Sequence, residues 1–264
     1  MLRSMYSGIS GMKNFQTKLD VIGNNIANVN TFGFKKGRAM FKDLVSQQVA
    51  GASEPSGVRG GTNPKQVGLG AQLASIDTIH TQGSLQTTNR TLDLSISGDG
   101  YFVVTDGTNE FYTRAGNFYL DVNGDIVNGD GLYLVATGTT GPNLNIPPDA
   151  SEFSIGQDGT VSYTDSTGLQ TAGTIQIAKF SNNGGLQKIG NNLFTETINS
   201  GTALTDDPGE NGTGTIEPGT LEMSNVDLSE EFTEMIVAQR GFQANTRIIT
   251  TSDEILQELV NLKR

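Results

Sequence analysis

Apolar residues recur every seven positions at both ends of the chain and every two positions between them. Met5, Met12, Leu19 and Ile26 make the first line, with Leu2 and Ile9 three residues before its first two members and Phe15 and Ile22 alongside. Spacing of this kind predicts an amphipathic helix with a coiled-coil seam over about residues 3–28. It should end near Asn28–Thr31, where short amide side chains compete for the backbone. At the other end Leu228, Met235, Phe242, Ile249 and Leu256 are again seven apart, which predicts a long helix inclined to left-handed supercoiling. Asp227 followed by Glu230 reads as its N-cap and reciprocal acid, and Lys263 and Arg264 suit the negative end of its dipole.

A coiled coil needs a second apolar line. Four residues after the C-terminal line stand Phe232, Gln239, Thr246, Asp253 and Val260; in the N-terminal helix the corresponding line runs Leu2, Ile9, Gln16 and Gly23. Both decay into polar residues, so each helix is expected to need the other and further neighbours. Gly241 and the β-branched run Ile248–Thr251 lower intrinsic helix propensity by roughly 2 kcal/mol against alanine. Both helices are therefore expected to order on assembly.

Between the ends, Leu92, Leu94 and Ile96 alternate with polar residues, and short strands are predicted at 101–104, 111–113, 118–120, 132–135, 153–155, 161–163, 175–178 and 193–194. Asp-Gly and Asn-Gly pairs such as Asp106-Gly107 and Asn123-Gly124 separate them, as tight hairpins require. Residues 50–68 and 199–220 are rich in Gly, Pro, Ser and Thr and read as long loops or linkers. The predicted fold is mixed α and β and multi-domain: a discontinuous coiled-coil domain from 1–30 and 227–264, an extended linker domain from 31–75 and 206–226, and a β-rich outer domain from 76–205, in an elongated subunit.

Composition sharpens this picture. The 34 glycines and the absence of tryptophan fit a turn-rich β body. Net charge is −11: residues 1–45 carry seven bases against two acids, 46–226 six against nineteen, and 227–264 four against seven. The two ends are thus oppositely charged, and so acidic a chain is a poor nucleic-acid binder. With no cysteine there is neither disulfide nor thiolate chemistry. No stretch approaches the ~20 apolar residues that span a bilayer, and the N-terminus lacks the apolar run of a signal peptide.

Candidate chemistry is sparse. His80 is the only histidine, which leaves little material for a metal cluster or a Ser-His-Asp arrangement and suits a surface or strand position. The run from Asp121 to Leu132 has Ile126 and Leu132 where a calcium loop needs glycine and glutamate, so two hairpin turns explain it better. Lys35, Lys36 and Arg38, beside Phe32 and Phe34, are expected to meet acidic faces of neighbouring subunits. A carbohydrate-binding β domain is weakened by the lack of tryptophan, and a membrane-surface helix by having only Arg3, Lys13 and Lys18 as bases. No catalytic, cofactor-binding or metal-ligating residue is expected.

Three long motifs then carry a resemblance. Leu19–Lys36 (LDVIGNNIANVNTFGFKK) resembles the N-terminal signature of bacterial flagellar axial proteins: rod, hook and hook-associated subunits. MIVAQRGFQANTRIITTSDEILQELVNLKR resembles their C-terminal end, and LDLSISGDGYFVV with YTRAGNFYLDVNGDIVN their β domain. The ends MIVAQR and LVNLKR and the VGLG at 67–70 resemble hook proteins, whereas Phe153–Phe194 resembles distal-rod proteins; the balance favours a hook subunit, with a distal-rod subunit as the alternative.

The resemblance implies a self-assembling helical tube around an export channel that transmits torque. It implies contacts with further copies, with neighbouring rod, hook-cap and hook-filament junction proteins and with the export apparatus, and with neither nucleic acid nor membrane interior. The location implied is the flagellar basal body or hook, extracellular after export without a cleaved signal peptide. The residues expected to carry assembly are Met5, Ile9, Met12, Leu19, Ile26, Leu228, Met235, Phe242, Ile249 and Leu256. Asn24, Asn25, Asn28, Asn30, Phe32, Gly33 and Phe34 are expected to set how the helix hands over to the linker.

Overall fold

The seven-residue spacings do form helices. In the computed structural model, which describes residues 2–55, 60–139 and 143–262, α1 spans Leu2–Ala27 and α2 spans Leu228–Leu262. The Asp227 carboxylate caps α2, accepting the Ser229 amide at 2.8 Å and the Glu230 amide at 3.4 Å; a cap of this kind is worth about 1 kcal/mol. Lys263, Arg264 and the Leu2 side chain lie outside the described residues.

The chain separates into two compact units. The first comprises Met1–Ala27, Gly37–Thr78 and Asp227–Arg264; the second comprises Asn28–Lys36 and Ile79–Val226. In the first, α1 and α2 pair, and the segment between them in sequence is a two-stranded antiparallel ribbon. Its strands are β1 (Gly37–Asp43), β2 (Ser46–Ala50), β3 (Lys65–Gly68) and β4 (Ala71–Thr78), with β1 on β4 and β2 on β3. A bridge between Ser53 and Thr62 extends it further. Much of the stretch 50–68 is therefore an ordered ribbon and not the loop its composition suggests. Cross-strand backbone bonds override weak propensity here.

The second unit holds β5 (Leu85–Thr87), β6 (Leu94–Ser97), β7 (Tyr101–Thr105), β8 (Glu110–Thr113), β9 (Tyr119–Leu120), β10 (Ile126–Val127), β11 (Tyr133–Leu134), β12 (Ala136–Thr137), β13 (Glu152–Ile155), β14 (Thr160–Asp165), β15 (Gly168–Ile175), β16 (Ile177–Lys179), β17 (Gln187–Gly190), β18 (Leu193–Thr195), β19 (Leu204–Asp206), β20 (Thr215–Pro218) and β21 (Thr220–Glu222). One sheet runs β17-β18-β8-β7-β11-β10-β9, with β16 bridging β7 to β19; a second runs β12-β15-β14-β13. Strands β20 and β21 pair with β6 and β5, so 199–220 is also partly strand. Strand β7 is buried on both faces. Phe102 and Val104 enter a core with Phe118, Ile126, Leu144 and Ile175, while Tyr101 and Val103 join a smaller cluster with Tyr112, Phe180 and Phe194.

The alternation at 92–96 predicts polar residues facing water, and the fold differs. Asp93 and Ser95 are buried with the apolar residues between them, because each has a polar partner: Asp93 the Arg90 guanidinium at 2.9 Å, and Ser95 the Thr220 hydroxyl at 2.5 Å. Satisfied polar groups can be buried at little loss. The turn glycines follow their spacing: Gly124 has φ +88°, and the Asp121–Leu132 run closes as two turns in which the Asn128 side chain accepts the Asp130 and Leu132 amides, both at 2.9 Å.

Candidate assembly site: the paired helices and the anchored helix exit

The helix pair is antiparallel. Gly8 lies against Ile249, Gly11 against Asn245, Phe15 against Gly241, and Lys18 forms an ion pair with Glu234. Met5, Met12, Leu19 and Ile26 on α1 and Met235, Phe242, Ile249 and Leu256 on α2 are half-buried. Ile9 and Leu228 are exposed, at 37% and 39%.

The second line differs from the one expected by its apolar residues. It lies three residues after the first, at Gly8, Phe15 and Ile22 on α1 and at Glu231, Ala238, Asn245 and Ser252 on α2, while Phe232 faces out. Small residues fill it because the backbones approach closely. A Cβ on Gly241 would collide with the Phe15 ring, and one on Gly11 would come within 2.9 Å of the Asn245 amide. Gly241, which weakens the isolated helix, is thus the recess that receives Phe15. Hydropathy carries no signal for such a line; the seven-residue recurrence of Ala238, Asn245 and Ser252 was the feature that marked it.

Where α1 ends, Asn25 is buried and fully used. Its carboxamide accepts the Gly37 amide and donates to the Gly37 carbonyl, both at 2.9 Å, and donates to the Glu231 carboxylate at 3.1 Å. A helix exit is thereby tied to the start of the ribbon and to the first turn of α2. Asn24 and Asn30 are exposed, and the Asn28 side chain accepts the Thr31 hydroxyl at 3.1 Å.

Within the second unit, the segment after α1 is held by groups that spacing alone did not single out. Lys35 is 1% exposed; its ammonium donates to the Glu222 carboxylate at 2.6 Å and to the Thr81 carbonyl at 2.8 Å. Glu222, fully buried, also receives the Arg114 guanidinium at 3.2 Å and the Gly83 amide at 2.9 Å. Two buried cations thus share one buried carboxylate. The expectation that Lys35 meets a neighbouring subunit is corrected: its charge is spent inside its own unit. Burial lowers the Lys35 pKa, with Glu222 opposing the shift.

Gly33 threads past at φ +69°, its amide on the Glu222 carbonyl at 2.8 Å; a Cβ would meet the Arg114 and Ala115 backbone. The Phe32 carbonyl accepts Asn192, and the Phe34 ring lies under Lys188. Asn225, also missed, binds the Lys36 amide at 2.8 Å, the Ile79 carbonyl at 2.8 Å and the Thr81 hydroxyl at 3.0 Å.

His80, expected on the surface or on a strand, is partly buried and lies just past the end of β4. It is half-buried, its Nδ1 is 2.7 Å from the Tyr101 hydroxyl, and burial, then Lys35, Lys188 and Arg114, depress its pKa to about 4. It stays neutral and shares a hydrogen bond with the phenol, whose own pKa burial raises. Among the described residues no three His, Cys, Asp or Glu side chains could hold a metal ion, and no helix is long and apolar enough to cross a membrane. The arrangement supplies packing and anchoring.

Comparison with known proteins is decisive at this point. Residues 5–35 match the family described as Flagella basal body rod protein, 95–163 the Flagellar hook protein FlgE/F/G D1 domain, and 217–262 the Flagellar basal body rod FlgEFG protein C-terminal. The flagellar basal-body rod protein FlgG of Bacillus subtilis is 62% identical over 266 residues, covering 100% of both chains. This chain belongs to the FlgE/F/G family of flagellar axial proteins. The FlgG of Caulobacter vibrioides is 41% identical over 267 residues, 99% of this chain and 100% of that protein. The flagellar hook protein FlgE of Borreliella burgdorferi is 34% identical, also end to end, but its alignment runs over 441 positions. As a family member the chain is a structural component of the flagellar axis and not an enzyme.

Proposed function

We propose that this chain is the subunit of the distal rod, the drive shaft of the flagellar basal body, and not of the hook. The supporting observation is the end-to-end alignment with a basal-body rod protein at 62% identity over 266 positions, against 441 and 463 positions for two hook relatives. The hook relatives thus hold long insertions where this chain's 264 residues have nothing. Of the motifs that favour the hook, MIVAQR and LVNLKR lie in the C-terminal stretch whose family model spans both kinds of subunit, and VGLG at 67–70 lies in the ribbon.

Copies assemble through the paired helices into a helical tube around the export channel. Segments 31–75 and 206–226 make its linking layer, and the acidic β domains supply lateral contacts. The ribbon suits a shaft: Met40, Val45, Val49, Val67 and Ile76 stand exposed along it, and an isolated two-stranded ribbon is marginal in water. Packed between copies it would stiffen the tube. The motif from Asn24 to Phe34 fixes the exit of α1. Partners are further copies, adjoining rod proteins and the export apparatus; contacts with hook-cap and hook-filament junction proteins belong to the hook reading.

Complementation decides between the two. Expressed in strains lacking the distal-rod or the hook subunit, the gene is expected to restore the shaft seen by electron microscopy in the first and to leave the second hookless. Restoration of a curved hook in the second strain, with no effect in the first, overturns the proposal.

A further inference from the structure

Bases are scarce in the β unit, and half of them converge on one place. Of its six, Lys35, Lys36, Arg90, Arg114, Lys179 and Lys188, three gather beside the segment that follows α1. Lys35 and Arg114 meet on the buried Glu222 carboxylate, and the Lys188 ammonium turns inward from β17 to donate to the Lys35 carbonyl at 2.9 Å. Three cations there share one carboxylate. His80 senses the surplus, since after burial the same three charges depress its pKa.

Lys188 is the cation left over. Among the described residues no carboxylate pairs with it. Its ammonium lies 5.0 Å from the centre of the Phe34 ring and 5.9 Å from that of Phe194, and burial lowers its pKa. A charge held out of water favours an opposite charge beside it. Next to it opens a cavity of about 140 Å³, walled by Phe34, Leu193 and Phe194 and by the turn residues Asn191 and Asn192. Gly190 pairs with Leu193 across the hairpin, so these two asparagines make up its whole loop, at φ +51° and +58°. Their side chains donate to the Asp130 carboxylate at 3.4 Å and the Phe32 carbonyl at 3.0 Å. Their backbone amides have no acceptor among the described residues, and successive turn amides form a concavity that takes anions.

We propose that this cavity binds a carboxylate group, with the Lys188 ammonium as its counterion and the Asn191–Asn192 turn amides as donors. The volume selects a single functional group: pockets for whole organic ligands run to roughly 300–1,000 Å³, and a water molecule takes ~30 Å³, so a carboxylate with a water or two fills this one. One unpaired cation matches a singly charged anion, and the apolar walls suit the carbon that carries it. Because Lys188 and Asn192 already hold the Lys35 and Phe32 carbonyls, a bound carboxylate fastens the β17–β18 hairpin to the segment that follows α1. A free small acid and an acidic side chain of a protein present the same two oxygens.

The test is a titration of the full-length chain, labelled with nitrogen-15 at asparagine and followed by NMR, in which sodium acetate replaces sodium chloride at constant ionic strength. The Asn191 and Asn192 backbone amide signals should move saturably, half-way at on the order of 10 mM. Lys188→Met keeps the stem, removes the charge and should abolish the movement; its other asparagine signals, unchanged, show that it is folded. Asn191→Asp sets a fixed negative charge at the cavity and should weaken acetate by about fivefold or more. Lys179→Gln loses the same charge elsewhere on the unit and should bind as wild type does. A peptide with one aspartate, capped at both ends, is the second probe: whichever of the two saturates at lower concentration names the source, free acid or side chain, and saturation by either supports the site. Signals that move with neither probe, that move without saturating, or that respond equally in Lys188→Met overturn the inference.

Discussion

The two units of this chain solve the problem of burial differently. The β unit contains the closed core around Phe102, Phe118 and Ile175 and, by sequence, 17 acidic against 6 basic residues; the helix-and-ribbon unit has 11 of each. The whole net charge of −11 therefore sits on the unit that already has an interior. Both units leave large apolar side chains in water: Val45, Val49, Ile76, Ile248 and Ile255 in the neutral unit, and Val122, Leu169 and Ile198 in the acidic one. Surface charge discourages association and exposed apolar stripes invite it. Net charge therefore surrounds the apolar residues that the acidic unit exposes, whereas those of the neutral unit have no such guard.

The sharpest way to break that contrast is to damage the interior of the β unit. Glu222→Ala strands Lys35 and Arg114 as buried, uncompensated cations, and is expected to destabilise the unit by about 3–5 kcal/mol in urea denaturation followed by tyrosine fluorescence. A loss below 1 kcal/mol means the charges reach water and the unit is not closed there.

Acid probes the same interior more gently. His80 has a folded pKa of about 4 against an ordinary value of 6.5, so between those values the unfolded chain binds a proton that the folded unit refuses. Stability is therefore full above pH 6.5 and falls as pH drops from 6.5 to 4, by on the order of 2–3 kcal/mol after allowance for partial exposure. His80→Gln should flatten that part of the profile; an unchanged slope assigns it to the carboxylates.

In the other unit, Gly241→Ala sets propensity against packing. A peptide of α2 alone should gain helix stability by about 1 kcal/mol, yet in the intact chain the added methyl meets Phe15 and should weaken helix pairing by about 1–2 kcal/mol. Circular dichroism of the peptide and of the chain measures both; stabilisation in both means the recess is not needed. The smallest effect is expected at Ile198, fully exposed on the β unit: Ile198→Ser should change stability by less than about 0.5 kcal/mol and leave assembly untouched. Ile255→Ser should be equally silent in the monomer but should lower polymer yield.

Much of this was legible in the chain. Heptad lines fixed both helices to within a few residues, because a side chain every seven positions can share a face only in a helix. Asp-Gly and Asn-Gly pairs located the hairpins, because few residues tolerate positive φ. The resemblance at MIVAQR, LVNLKR and VGLG favours the hook; overall length and the alignment with a rod protein along the whole chain weigh the other way.

By itself, then, the sequence determined the two helices, the hairpin turns, many of the central strands and the family, since these follow from local periodicity and turn chemistry, but not the ribbon within 37–78 or the strands within 199–220. Tertiary structure alone decided which face of each helix is the seam, why Gly241 must be small, and that Lys35, Arg114 and Glu222 neutralise one another indoors. The reason is separation: Lys35 and Glu222 lie 187 residues apart and Arg114 and Glu222 108. A buried charge is tolerable only beside a partner that folding delivers, and no local pattern announces it.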